Sequence, residues 1–154
     1  MHLAAPCRRV RLTFTLDRME PLRMNDSSWR EFLRTARRVL GHGESIAWAS
    51  DSWCAWTTFA SLENSVHYWA CGLPEEKELL EAWVADGGTW MQPFRYSDLA
   101  HVVIPAQFYW EQYDEEQGFR CGHKSQDIRR LSENLVALGI PHRLTELVLE
   151  VKLY

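Results

Sequence analysis

Residues 125–154 read SQDIRRLSENLVALGIPHRLTELVLEVKLY, and this stretch decides the fold class. Ser125 is a residue type that caps a helix start by accepting a free backbone N–H. Asp127 adds a negative charge in the first turn, where the helix dipole favours it. Ile128, Leu131, Leu135 and Leu138 then recur at helical spacing and make one apolar stripe. Arg129, Arg130 and Glu133 fall off that stripe. Gly139 suits a left-handed helix end, and Pro141 prevents continuation. Beyond it the period changes to two: Leu147, Leu149, Val151 and Leu153 share one face, and Val148, Glu150, Lys152 and Tyr154 the other. A capped helix, a break and a half-polar strand that belongs inside a sheet form the unit around which the rest packs.

Working outward, a first helix is expected over about 29–40. Ser28 and Glu31 have capping-box spacing. Trp29, Phe32, Leu33, Ala36, Val39 and Leu40 form its buried stripe, and Arg30, Arg34, Arg37 and Arg38 a basic, solvated face. Residues 45–72 read as a strand meander, with Ile46 and Trp48 in its first strand, 53–60 as its second and 66–71 as its third. Turns fall at Asp51-Ser52 and Glu63-Asn64-Ser65. Pro74 and the acidic run Glu75, Glu76 and Glu78 predict a second helix, with Leu79, Leu80, Trp83 and Val84 inward. Residues 89–94 form a short strand broken by Pro93. Residues 100–112 form the longest strand, and Pro105 places it at an edge or bends it. The order of elements predicts an α+β domain: a mainly antiparallel sheet of about five to seven strands, three helices packed on it, and the C-terminal helix–strand unit. Residues 24–154 form that single domain. Residues 1–23 are a leader or a short N-terminal strand, since Val10, Leu12 and Phe14 alternate with Arg11, Thr13 and Thr15.

A chain of 154 residues buries enough surface to need no disulfide or metal. The formal charge of -4 argues against general nucleic-acid binding, which wants a basic face. No apolar run approaches a membrane span. Arg8, Arg9 and Arg11 are followed by no signal-peptide core, so a cytoplasmic location is expected. Cys7, Cys54, Cys71 and Cys121 are scattered, form no Cys-x-x-Cys pair and read as reduced thiols. Tryptophan, at 8 residues, is abundant enough that a small domain hardly hides all of it, and an exposed one marks a binding patch.

No phosphate loop, nucleophile elbow, zinc-protease or zinc-deaminase motif is present in the sequence. His101, Cys121 and His123 are the candidate metal ligands or Cys/His pair, but their spacing does not predict a tetrahedral site. His101 and Glu111 lie about ten residues apart on one strand, over 30 Å at ordinary strand rise, unless the chain folds at Pro105. No cofactor is expected. The feature that points to function is the acidic segment after the long strand. Glu111, Asp114, Glu115 and Glu116, with Tyr109 and Tyr113 among them, have the make-up of a plug for a basic pocket.

The chain resembles the small cytoplasmic immunity proteins of bacterial toxin–immunity systems and related bacterial domains. The resemblance rests on MNDSSWRE at residues 24–31 opening a helix, and on LGIPH at 138–142 before a closing strand to Tyr154. Tryptophan richness and mild acidity suit it. It implies a non-enzymatic inhibitor, an antitoxin, that binds a cognate protein toxin and blocks its active site. The class shares no motif, so no residue role follows from it. The alternative is a small metal-dependent or Cys/His enzyme built on His101, Cys121 and His123.

Overall fold

The structure, a computed structural model, describes residues 24–154. The leader or strand expected over 1–23 lies outside the described residues. Over the described residues the fold is α+β, with three α-helices, a five-stranded antiparallel sheet and two two-stranded ribbons. In chain order the elements are α1 (Asp26–Leu40), β1 (Cys54–Thr58), α2 (Phe59–Asn64), β2 (Trp69–Cys71), β3 (Trp83–Val84), β4 (Phe94–Arg95), β5 (Leu99–Pro105), β6 (Gln107–Asp114), β7 (Gly118–Ser125), α3 (Ile128–Ala137), β8 (Arg143–Leu144) and β9 (Val148–Lys152). The main sheet runs β2-β1-β5-β9-β8. Its central strand is β5, buried along most of its length.

One face of this sheet carries Cys54, Trp56, Val102, Ile104, Leu149 and Val151, all buried. Trp29, Phe32, Leu33 and Ala36 of α1 and Ile128, Leu131 and Leu135 of α3 complete the core over it. At about 25 cal/mol per Å² of apolar surface removed from water, these large side chains dominate the folding free energy. Trp56 stacks on Trp69, Trp90 and Phe94 at ring separations of 4.7, 4.5 and 4.6 Å. The abundant tryptophan is therefore partly absorbed by one aromatic column. Trp48 and Trp83 stay partly exposed, at 43 % and 47 %.

The C-terminal unit forms as its pattern dictates, with local differences. Asp127, not Ser125, caps α3: its side chain accepts from the Arg130 N–H at 3.0 Å, while Ser125 is the last residue of β7. Gly139 takes the left-handed conformation at φ +67°. Leu138 and Leu147 are exposed, so the buried stripes are Ile128, Leu131 and Leu135 on the helix and Leu149 and Val151 on the strand. α1 begins three residues before Trp29. Asn25, not Ser28, is its cap, accepting from the Ser28 N–H at 2.8 Å.

The helix expected after Pro74 does not form. Its first turn is a 3-10 turn, Glu76–Glu78, and β3 begins at Trp83. Glu78 turns inward, almost fully buried, and its carboxylate accepts the N–H groups of Glu75 and Thr89. Leu79 and Val84 are buried while Leu80 and Trp83 face solvent, a hairpin pattern that closes through Leu80 N–H to Trp83 C=O at 3.0 Å. The arginines of α1 hold this segment: Arg30 donates to Leu79 C=O, Arg37 to Leu73 C=O, and Arg34 pairs with Glu76 at 2.6 Å. That basic face is a set of staples as well as a solvated surface. The third helix is instead α2, which replaces the end of the expected strand at 53–60 and the turn at 63–65. Ile46 and Trp48 flank or sit in a 3-10 turn, Ala47–Ala49, and not in a strand. The third meander strand keeps only Trp69–Cys71, and Val66 has φ +49°.

Candidate partner-binding hairpin

The long strand over 100–112 breaks after Pro105. Its first half is β5. Its second half leaves the main sheet and pairs with β7 over eight registers, from Gln107↔Ser125 to Asp114↔Gly118. A proline lacks the N–H a continuing ladder requires, so this is where the chain can change sheets. The base of the hairpin is fixed to the domain. Phe108 stacks on Trp53 with centroids 5.8 Å apart. Lys124 Nζ donates to Trp48 C=O at 2.9 Å and Ser50 C=O at 2.7 Å. Gln126 is buried and bonds the Trp53 N–H, the Trp53 C=O and the Pro105 C=O at 2.8–2.9 Å.

The tip is a three-residue loop closed from within. Asp114 Oδ1 accepts the N–H groups of Glu116 and Gln117 at 2.9 and 2.8 Å. Gly118 follows with φ +72°. Glycine takes that left-handed backbone at no steric cost where the chain turns back into β7. Asp114 therefore builds the turn, and the carboxylates that stand clear at the tip are those of Glu115 and Glu116.

Side chains opposite one another across an antiparallel pair share a face. Tyr109 faces His123, Glu111 faces Cys121, and Tyr113 faces Phe119, so these six residues occupy one side. The aromatic rings on it are open: Tyr113 is 74 % exposed, Phe119 61 % and Tyr109 48 %. Tyr109 meets His123 edge-on at 5.5 Å and donates to Glu111 Oε2 at 3.2 Å. Cys121 first, then desolvation and Glu111, push the Tyr109 phenol up to about 12, so it is a neutral donor at physiological pH. The opposite side carries Trp110 laid across Gly122, Gln112 bonded to Arg120 at 2.9 Å, and Phe108 beside Lys124. A methyl group at residue 122 would press on the Trp110 ring. Between the outer edge of β6 and the turn at 47–49 lies an open groove of about 430 Å³, whose lining includes Ile46, Trp48, Trp53, Tyr109, Trp110 and Glu111.

Of the residues singled out in the sequence, Tyr109, Glu111 and Tyr113 meet on one face, Glu115 and Glu116 stand at the tip, and Asp114 holds the turn. Sequence reasoning missed Phe119, Trp48 and Ile46. The alternation of Phe119, Cys121 and His123 against Arg120 and Lys124 was the available signal for β7.

The alternative set does not assemble. Cys121 and His123 lie on the hairpin, whereas His101 sits in β5. Among the described residues, no group of three or more His, Cys, Asp or Glu side chains is placed to hold a metal ion. His101 belongs instead to a network on the side of the sheet away from the helices. Its Nε2 lies 3.0 Å from Glu150 Oε2 and its Nδ1 2.9 Å from the Tyr68 hydroxyl. Arg143 holds the other Glu150 oxygen at 2.6 Å. Glu150 as acceptor fixes the proton on Nε2, which leaves Nδ1 to accept from Tyr68. Burial lowers the His101 pKa, against the upward pull of Glu150. The Tyr68 phenol is pushed up to about 12 by burial and by Tyr154.

Set against protein-family models, curated proteins and solved structures, the chain matches none.

Proposed function

We propose that the protein is a non-enzymatic protein-binding inhibitor of the immunity or antitoxin kind, and that it engages its partner through the β6–β7 hairpin. The observation that supports this reading is the one-sided row Tyr109, Tyr113 and Phe119, open to solvent on a ribbon anchored at its base and acidic at its tip. Exposed aromatic residues on a pre-organised element supply contact area at low entropic cost. Glu111, Glu115 and Glu116 beside them select a partner with a basic surface and speed the encounter with it. A toxin whose active site binds an anionic substrate presents such a surface.

The test is capture followed by a growth assay. Wild-type protein captures a protein from its source cells; that protein, expressed alone, arrests growth, and co-expression of this chain restores it. Tyr113→Ser with Phe119→Ser loses both capture and rescue while the domain stays folded. Equal rescue by the double variant removes the hairpin from the interface, and a captured partner without toxicity removes the antitoxin role. Replacing Glu115 and Glu116 by Gln, with Asp114 left to hold the turn, is expected to slow association about tenfold at low salt and to flatten its salt dependence. An unchanged association rate would discard the acidic tip.

The enzyme reading keeps one supporting observation, the Glu150–His101–Tyr68 chain beside a surface groove whose lining includes His142, Arg143, Lys152 and Tyr154. It needs a small-molecule substrate that this groove binds, and loss of that binding in His101→Gln is its test.

A further inference from the structure

Cys54 and Cys71 are Cα partners across the β1–β2 pair. Both are free thiols and both are buried, at 0 % and 6 % exposure. Residues directly opposite in an antiparallel pair hold their Cβ atoms about 4.5–5.5 Å apart on one face. A disulfide needs about 3.5–4.5 Å, so a small closing movement joins them. β2 is a three-residue strand at the edge of the sheet, the part of a sheet most free to make that movement.

The two sulfurs are not equivalent. Cys54 is fully enclosed and donates weakly to Gly72 C=O at 4.0 Å. The neighbouring Cys71 thiol, then burial, push its thiol up. Cys71 sits at the edge strand beside Trp56, whose buried indole N–H has no hydrogen-bond partner among the described residues. The Cys54 thiol first and the Trp56 N–H after it favour the Cys71 thiolate, against burial and the Glu78 charge. An unsatisfied buried donor is stabilised when a negative sulfur forms next to it.

We propose that this pair is an oxidation site for hydroperoxides, with Cys71 as the attacking thiol and Cys54 as the resolving one. The Cys71 thiolate attacks one peroxide oxygen. The S–O bond forms as the O–O bond breaks, the other oxygen leaves and takes up a proton, and Cys71 becomes a sulfenic acid while the peroxide is reduced to an alcohol or water. Cys54 sulfur then attacks Cys71 Sγ. The S–S bond forms, the S–O bond breaks, and the hydroxyl departs as water with the Cys54 proton. The product clamps the edge strand to β1 next to the Trp56–Trp69 stack.

The test uses the full chain with Cys7→Ser and Cys121→Ser, leaving this pair alone, and hydrogen peroxide as the probe. Expected is the joint loss of both thiols in the folded protein, a monomer lighter by two hydrogens, a 54–71 cross-linked peptide, and full reversal by dithiothreitol. Adding Cys54→Ser should leave a Cys71 sulfenic acid that dimedone traps; adding Cys71→Ser should leave Cys54 unmodified. Should either serine variant fail to fold, the order of alkylation by iodoacetamide in the two-cysteine chain decides. Cys71 ahead of Cys54 supports the assignment, and Cys54 first or both at one rate overturns it. Thiols that survive peroxide in the folded chain but react in urea, or a disulfide only between chains, also overturn it.

Discussion

Gln126 shows how much one side chain can hold. Buried between the end of β7 and α3, it bonds three backbone groups of Trp53 and Pro105. Gln126→Leu has nearly the same size but leaves those groups unpaired. A loss of about 3 kcal/mol in unfolding free energy is expected, from unsatisfied buried groups at about 1–3 kcal/mol each. Urea unfolding measures it; a loss below about 1 kcal/mol would mean that water satisfies those groups instead. His101 carries the pH dependence. Burial holds its pKa below the ordinary 6.5, and Lys152 and Arg143 add to that, while Glu150 opposes it. Between the lowered value and 6.5 the unfolded chain binds a proton that the native protein does not, so stability rises with pH across that window and is lost on acidification. Wild-type protein is expected to lose more stability than His101→Gln as pH falls through 6.5. Greater loss in the variant would reverse the sign and give Glu150 control of the histidine. Neither role was legible in the sequence. His101 read as a candidate metal ligand or member of a Cys/His pair, and nothing marked Gln126, because both depend on residues 21 to 73 positions away.

Among the elements, those with strong local signals were readable. α1 and α3 have regular apolar stripes, side-chain caps and glycines at or just past their ends, and they stand within a few residues of where the pattern puts them. The segment after Pro74 shows the limit. Its acidic start and apolar spacing suit a helix, yet Glu78 bonds backbone N–H groups at two separate points and Leu79 bridges to Val84. Tertiary bonds outweigh a propensity difference of a few tenths of a kcal/mol per residue. The hairpin was half legible: the strand and acidic turn were readable, the returning strand was not. Its tip depends on Gly118, where a residue such as Ala meets left-handed strain of about 1 kcal/mol. Gly118→Ala is expected to speed amide exchange from Tyr113 to Phe119 while leaving β5 and β9 unchanged, as seen by hydrogen–deuterium exchange. Protection lost equally across the main sheet would show that the hairpin and the domain unfold as one unit.

For the whole molecule, the sequence order of strands conceals their neighbours. β5 lies between β1 and β9, elements some 40 to 50 residues away on either side, and only packing could reveal that order. The class α+β was readable because it needs element types alone; the topology needs long-range pairing, which periodicity does not encode. This arrangement makes the closing strand structural. β9 pairs with β5 over five registers, from His101↔Lys152 to Pro105↔Val148, and with β8 on its other side. It supplies Leu149 and Val151 to the core and Glu150 to the His101 network. Removing Leu147–Tyr154 would expose both edges at the middle of the sheet and open the space filled by two buried aliphatic side chains. At about 2–5 kcal/mol for each large-to-small loss in a core, with ladder bonds lost besides, the total matches the roughly 5–15 kcal/mol that holds a typical domain together. The truncated chain is therefore expected to show no cooperative thermal transition and to bind a hydrophobic dye at room temperature. Adding the missing segment back as a separate peptide should restore part of the native signal by strand complementation. A truncated chain that still melts cooperatively would show that the β1–β5 pair and the helices suffice without β9.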